Sequence, residues 1–277
     1  MTATTPPDRP LTRNTSTVMM VWTRELIRLK RMPTRLITGI ATPILYLFVL
    51  GAGMKNLVNS PQAFSAAGAG ATFDYQEYLF PGIMAMSIIT SALFSAMSIV
   101  WDREFGFMRE MLVAPVSRTG LVLGKALGGG TVAVIQGVIL IVVAPLVGVD
   151  LTVTRVVGLV GALLLLAFAL TAFGIVLGAR MQRMESFQMV ATLVTQPMIF
   201  LSGAIFPLKS LPSWLNVLTR VNPATYGVDL VRRTLLPGAP AVTWNGNVVP
   251  LWADACVVLV LGGLMLALAS ALFRQSD

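Results

Sequence analysis

VVGLVGALLLLAFALTAFGIVLGA, residues 156–179, lies between Arg155 and Arg180 and carries no charge. A bilayer's hydrocarbon core is about 30 Å thick and takes roughly 20 apolar residues of helix to cross. This stretch is long enough and apolar enough to do so, which makes the lipid bilayer the natural solvent for the chain. The composition agrees: 56% of the 277 residues are hydrophobic and 12% are charged, where soluble domains carry about 25% charged residues.

The windows between consecutive charges give five more candidates, at 36–54, 78–101, 126–149, 186–208 and 255–273. Two other charge-free windows fail on composition. Residues 56–73 are rich in Asn, Ser, Gly and Ala, and residues 234–253 hold Pro237, Pro240 and Pro250 beside Asn245, Gly246 and Asn247. Both read as loops. Pro43, Pro81, Pro145 and Pro197 fall inside accepted windows and predict kinks, since neighbouring helices can satisfy the carbonyls they free.

Lys and Arg concentrate on the cytosolic side of short loops. With a cytosolic N-terminus, that side holds Arg9, Arg13, Arg24, Arg28, Lys30, Arg31, Arg35, Arg103, Arg109, Arg118, Lys125, Arg180, Arg183 and Arg274. The opposite side holds Lys55, Arg155, Lys209, Arg220, Arg232 and Arg233. The split is 14 to 6 of the 20 basic residues, so the expectation is six crossings with both termini cytosolic. The sequence reads as all-α: one polytopic membrane domain over 1–277, with a flexible N-terminus at 1–16, an interfacial helix at 17–32 and a six-helix bundle at 36–273. No apolar stretch followed by a small-residue cleavage site opens the chain, so no cleaved signal peptide is expected.

Several chemistries are excluded. Histidine is absent, which removes the usual general base and the commonest metal ligand. The single cysteine, Cys256, allows no intrachain disulfide and no multi-cysteine zinc site, and reads as an ordinary packing residue. GLVLGK at 120–125 resembles part of a phosphate-binding loop, but its spacing is one residue short and Ala126 replaces the required Ser or Thr. The net charge of +8 follows membrane topology rather than a basic, aromatic-rich soluble face, so no nucleic-acid partner is expected. Gly124 with Gly128, and Gly174 with Gly178, have the small-xxx-small spacing that lets helices approach closely, within the bundle before any dimer contact.

Three segments carry further pattern. Across 17–32, Val18, Met19, Trp22, Leu26 and Leu29 share one helical face and Arg24, Arg28 and Arg31 the other. Such a helix lies at the inner-leaflet interface with its arginines near lipid phosphates, either as a plain anchor or as an elbow that also touches a cytosolic partner. DREFGFMREMLVAPVSRTGLVLGK (102–125) predicts a short helix from Arg103 to Leu112, with Phe105, Met108 and Leu112 on one face beside Glu104, Arg109 and Glu110. That face fits a partner surface, or the membrane surface under a solvated connector. Pro115 breaks the chain and Ser117 stands where it caps the following helix. Beyond residue 206, Leu211, Trp214, Leu215 and Leu218 form an apolar stripe, and Tyr226, Leu230 and Val231 form a second after Asn222-Pro223. This predicts two short helices dipping into the outer leaflet, with Trp214 and Tyr226 also readable as interfacial belt aromatics.

With these motifs in view, the chain resembles the permeases of type-2 ABC exporters, particularly the daunorubicin-type drug-resistance group. The resemblance rests on EFGFMREMLVAPVSRTGLVLGK (104–125), LSGAIFPLKSLPSWL (201–215) and NPATYGVDLVR (222–232). It implies a six-helix half-transporter that pairs with a second permease, identical or paralogous, and takes two copies of a cytosolic ATP-binding subunit, in the cell membrane. ATP and Mg would be held by that subunit, with no cofactor on this chain and no catalysis of its own. The resemblance makes the loop helix a coupling helix contacting the ATPase through Glu104, Phe105, Met108, Arg109 and Glu110. It makes 17–32 the interfacial helix, with Trp22, Arg24, Arg28 and Arg31. It also makes 207–236 a pair of outer re-entrant helices, with Phe206, Pro207, Trp214, Asn222, Pro223 and Tyr226 at an outer gate.

The cargo expected is a hydrophobic or amphiphilic drug, lipid or glycolipid. Energy for export would arrive through contact, because the accepted windows hold no ion-carrying carboxylate and Asp254 stands only at an end. A secondary transporter or channel acting alone would call for an unpaired intramembrane charge or a discontinuous midplane helix. An intramembrane hydrolase built on Ser202-Gly203 would need a lysine at the same depth.

Overall fold

The computed structural model describes residues 10–58, 75–106, 118–206, 208, 212–239, 242–244 and 247–274. Nearly all of these are helical. In chain order they form α1 (Pro10–Arg31), α2 (Pro33–Val58), α3 (Tyr75–Ser95), α4 (Met97–Glu104), α5 (Arg118–Ile141), a 3-10 turn (Ala144–Val147), α6 (Val153–Gly178), α7 (Met184–Leu201), α8 (Ser213–Val221), α9 (Pro223–Leu235) and α10 (Leu251–Arg274). A two-residue antiparallel ladder, β1 (Thr243–Trp244) with β2 (Asn247–Val248), sits in the loop before α10. The chain is an all-α, polytopic membrane protein.

Among the described residues, five helical runs are long and apolar enough to cross a bilayer: Leu36–Gly53, Tyr75–Glu104, Thr119–Ile141, Val153–Gly178 and Leu251–Phe273. The α3–α4 run is one of them, stepped at Ala96, where the Ile99 N–H donates back to the Ala96 carbonyl at 2.9 Å. The window expected at 186–208 is occupied by α7, which is outside these five and ends at Leu201 because the chain turns there through Gly203 at φ +75°. Even so, α7 runs the length of α3–α4 in the opposite direction. Its first residue lies against Glu104, and the turn after it lies so close to Gly82 that a Cβ there would stand 1.8 Å from the Ala204 carbonyl oxygen. The bundle has a near end, which holds α1 and the α4 tip, and a far end, which holds α8 and α9.

Three spans are displaced from the charge-free windows. The third begins at Thr119 rather than Ala126 and closes at Ile141, because Lys125 is paired inside the bundle and the 3-10 turn from Ala144, with Pro145 in it, ends the crossing. The second reaches Glu104, taking in the buried Asp102, and the last begins at Leu251, taking in the fully buried Asp254. A paired charge is compatible with a span end, so the windows marked unpaired charge rather than helix boundaries.

Helix α1 begins at Pro10, so residues 10–16, expected to be flexible, are helical. It packs along α5, with Val21 against Gly124 and Glu25 against Gly128. That is the close approach the small-residue spacing predicts. Gly174 likewise meets the Leu93 carbonyl and Ala96 of the α3–α4 step, and Gly178 meets Val100 and Phe187. The main core, around Tyr78, Phe80, Met84, Ile88 and Leu93 of α3, is closed by α5, α6, α7 and α9. A second core at the near end gathers Ile99, Val122, Ile175, Phe187 and Phe273.

Candidate functional site

At the near end the Lys125 ammonium lies 2.7 Å from Asp102 Oδ2, 3.1 Å from Glu25 Oε1 and 2.9 Å from Ser98 Oγ. Arg24 reaches the same Asp102 oxygen at 2.7 Å. The side chains of Lys125, Glu25 and Asp102 are 2%, 7% and 8% exposed, whereas Arg24 is 44% exposed. Two carboxylates and two cations balance, which is the condition for burying charge at all. The arrangement ties three segments of distant sequence together: α1, the end of α4 and the start of α5.

The α4 tip is bonded to its surroundings residue by residue. Arg103 Nη1 donates to the carbonyls of Ala179 and Met181 at 2.6 and 3.2 Å, satisfying acceptors left over where α6 ends. Glu104 Oε2 accepts the Met184 N–H at 2.9 Å. Trp101 and Phe105 rings lie 4.7 Å apart, and the Arg28 guanidinium sits 5.5 Å over the Trp101 ring. Phe105 ends the helix with 56% of its surface exposed, and Gly106 turns the chain away at φ +80°.

At the far end α7 is bonded to the short-helix pair. Asn222 is the N-cap of α9, accepting the Ala224 N–H at 3.0 Å, while its Nδ2 donates to the Met198 carbonyl of α7 at 2.8 Å. The Tyr226 hydroxyl donates to the Arg220 carbonyl at 2.7 Å and fixes α9 to α8. Arg232 Nη2 donates to the Gly203 and Ala204 carbonyls at 2.7 and 3.2 Å, with its guanidinium 4.1 Å over the Tyr78 ring. Arg233 pairs with Asp229 at 2.9 Å and with Asp254, and donates to the Val249 carbonyl at 2.8 Å. Burial raises the Asp229 carboxyl above its ordinary pKa, with the Arg233 charge and the Val242 N–H opposing.

The expected site residues divide among these places. Glu104 and Phe105 stand at the α4 tip, but α4 ends at Glu104, so a helix beginning at Arg103 is corrected. Instead Arg103 and Glu104 close the helix that descends from α3, and Gly106 breaks it. Met108, Arg109 and Glu110 lie outside the described residues, as do Ser117 and Pro207. In α1 the face turned to the bundle is Thr17, Val21 and Glu25 rather than the apolar stripe; Met19 is 60% exposed and Trp22 donates to Thr131 Oγ1 at 3.1 Å. Arg24 pairs with Asp102, Arg28 lies over the Trp101 ring, and Arg31 is exposed.

Two short helices do follow α7 and break at Asn222-Pro223. Tyr226 and Asn222 are buried, Pro223 and Phe206 half-buried, and Trp214 is exposed. Ser202 donates to the Ile199 carbonyl at 2.7 Å and accepts the Ala204 N–H, closing the turn after α7. The Glu25–Asp102–Lys125 cluster and the Arg233–Asp229–Asp254 cluster escaped the sequence reading. Their only signal was that opposite charges stood at the ends of apolar windows.

A protein family described as ABC-2 type transporter matches residues 16–236. The chain is 32% identical to Nodulation protein J of Rhizobium meliloti (strain 1021), over 80% of this chain and 82% of that protein. It is 30% identical to the putative transport permease ycf38 of Cyanophora paradoxa, over 76% of this chain and 70% of that one. It is 28% identical to the inner membrane transport permease YadH of Escherichia coli (strain K12), over 83% and 87%.

Proposed function

This chain belongs to the ABC-2 type transporter family, and from that premise we propose that it is the permease subunit of an ATP-driven exporter of hydrophobic or amphiphilic substrates. In this reading two permease copies, identical or paralogous, take two ATP-binding subunits that carry ATP and Mg. The protein sits in the cell membrane with both termini cytosolic, and α7, the fifth crossing in chain order, brings the total to six, at 18 residues about 27 Å long. The near end then faces the cytosol.

One observation carries the proposal: α7 is hydrogen-bonded at its start to the α4 tip, through Glu104, and at its end to the α8–α9 pair, through Asn222. ATPase closure pressing on Phe105 and the segment after it, Met108, Arg109 and Glu110 included, moves the α4 tip. Glu104 passes that displacement to α7, and Asn222 passes it to the α8–α9 pair, where Trp214, Pro223 and Tyr226, with Phe206 and Pro207 on the segment before it, form the outer gate. Trp22, Arg24, Arg28 and Arg31 of α1 steady the tip from the membrane surface. A shift of one rigid element against another is a common form of such switching.

The test is purification of the chain from its native membrane and reconstitution with the ATPase that accompanies it. Phe105→Ala and Arg109→Glu are expected to reduce ATPase assembly or substrate-stimulated ATP hydrolysis. Unchanged assembly and unchanged stimulation would overturn the coupling assignment. Repeated isolation of an active transporter with no ATPase would overturn the export reading itself.

A further inference from the structure

At the far end one nitrogen of Arg233 serves two carboxylates: Nη2 lies 2.9 Å from Asp229 Oδ2 and also contacts Asp254 Oδ2. The side chains of Asp229 and Asp254 are 4% and 0% exposed. The two carboxyl groups are also within hydrogen-bond reach of each other. An ionised carboxylate only accepts, so that contact is a hydrogen bond when one of the two carries a proton, and a meeting of like charges when neither does. Asp254 Oδ1 gives a further sign, since it is buried and meets no hydrogen-bond donor among the described residues.

The near-end cluster shows the balanced alternative, in which Asp102 and Glu25 are met directly by Lys125 and Arg24. At the far end the second cation is turned aside. Arg232 donates to the Gly203 and Ala204 carbonyls and covers the Tyr78 ring, so its charge reaches Asp229 only from a distance. The other elements packed on α9 and α10 bring no nearer cation. From α3, Tyr78 feels the Asp229 charge, and Glu77 lies against Gly148. The one charge of α6, Arg155, donates to the Asp150 carbonyl at 3.0 Å, and α8 carries Arg220 in its last turn. The charges of α5 and α7 stand at the near end, and residues 242–249 carry none.

We propose that Asp229 and Asp254 hold one proton between them, and that this proton ties α9 to α10. With the proton in place, the pair and Arg233 sum to zero charge and the two helices share a hydrogen bond beside the ion pair. Without it, two carboxylates compete for a single guanidinium in a site closed to water. The segment before α10 is held by the same groups, through the Val242 N–H on Asp229 and the Val249 carbonyl on Arg233, so it loosens together with α9. Burial raises the Asp229 carboxyl above its ordinary value. The tie is therefore complete in acid, and it is lost as the pH rises through the pair's own value, which lies above the ordinary carboxylate value of about 4. The inference goes beyond the export reading and uses it only to place this end on the outer side, where the proton would come from the medium.

The test uses the full-length chain purified in detergent without any ATPase. Infrared spectra of protein with isotope-labelled aspartate are expected to show one protonated aspartate persisting above about pH 5, beyond the ordinary range, and disappearing on further alkalinisation. Asp254→Asn and Asp229→Asn should each remove that signal. The thermal midpoint of the parent should fall across the same pH interval. Asp254→Asn, whose amide can donate where the proton stood and has no charge to gain, should hold its midpoint level there. Should either variant fail to fold, the labelled parent's spectrum decides alone. No protonated aspartate above the ordinary range, or an equal fall in the parent and both asparagine variants, would overturn the site. A midpoint that shifts when sodium or calcium chloride replaces choline chloride at fixed pH would assign the pair to a metal cation and overturn the proton. With no ATPase present, these outcomes are independent of ATP-driven export, which stands or falls on stimulated hydrolysis.

Discussion

Glu104 Oε2 accepts the Met184 N–H at 2.9 Å, so the last residue of α4 caps the first residue of α7. The first turn of any helix has unpaired N–H groups and the positive end of the helix dipole. Arg183, at the N-cap position, supplies no side-chain bond, and a carboxylate from another helix fills the place. Glu104→Ala is expected to cost about 0.5–1 kcal/mol, the lower part of the range for lost caps because the site is exposed. Hydrogen exchange at residues 184–187 should quicken. Glu104→Gln keeps an acceptor, loses the charge, and should fall between the two. In the reconstituted complex Glu104→Ala should hydrolyse ATP with less transport per ATP.

Lys125 is the centre of the near-end cluster, and removing its charge strands Glu25, 7% exposed, and leaves Asp102, 8% exposed, with the surface Arg24 alone. Breaking a buried ion pair from one side typically costs about 3–5 kcal/mol. Lys125→Met should therefore lower the thermal midpoint of the detergent-solubilised protein sharply. The triple variant Lys125→Met, Glu25→Met and Asp102→Leu removes the stranded charges as well and should recover most of the loss, leaving Arg24 at the surface. A triple variant no more stable than the single one would mean that the cluster's shape, and not its charge balance, holds α1 on α5.

Gly82 of α3 lies under the turn that follows α7. A Cβ there would meet the Ala204 carbonyl oxygen at 1.8 Å and its carbon at 2.7 Å. Backbone atoms cannot swing aside as a side chain does, so Gly82→Ala must lift the turn off α3 and pull Arg232 from the Gly203 and Ala204 carbonyls. The expected cost exceeds the ~1–3 kcal/mol of ordinary overpacking. Gly161 of α6 has nothing within 4 Å of a built Cβ, and Gly161→Ala should be neutral or stabilise by up to about 1 kcal/mol through helix propensity. Unfolding midpoints of the two variants, measured side by side, check both expectations.

Much of this architecture was legible in the sequence because lipid imposes a coarse rule, that long uncharged apolar runs become helices. The interior glycine contacts were legible too, since Gly124 with Gly128 and Gly174 with Gly178 share one helical face. The break between α8 and α9 was announced by Asn222-Pro223. What the rule could not convey was charge satisfied by distant charge. Asp102 and Lys125 stand 23 positions apart and Glu25 lies 100 from Lys125, so nothing local reveals that they neutralise one another inside the bundle, and the span ends were misplaced accordingly. For the same reason Glu104 read as a flank of the loop helix's apolar face when its carboxylate accepts a backbone N–H 80 positions on. In α1 the amphipathic pattern picked out Val18, Met19, Trp22, Leu26 and Leu29, while the bundle-facing stripe of Thr17, Val21 and Glu25 is too polar to register as a packing face.

Asn222 holds two jobs that a substitution can separate. Its Oδ1 caps α9 through the Ala224 N–H, and its Nδ2 donates to the Met198 carbonyl near the end of α7. Serine is an equally good cap but has no second group to reach α7. Asn222→Ser should therefore keep α9 formed, with stability lowered by only about 0.5–1.5 kcal/mol for the lost bond. Asn222→Ala loses the cap as well and should cost about 1 kcal/mol more. If α7 carries motion to the outer gate, Asn222→Ser should leave substrate-stimulated ATP hydrolysis intact while export in proteoliposomes falls. Export undiminished in Asn222→Ser, with hydrogen exchange reporting an intact α9, would mean that the gate is driven by another contact, such as Thr225 on the Leu201 carbonyl or Arg232 on the Gly203 and Ala204 carbonyls.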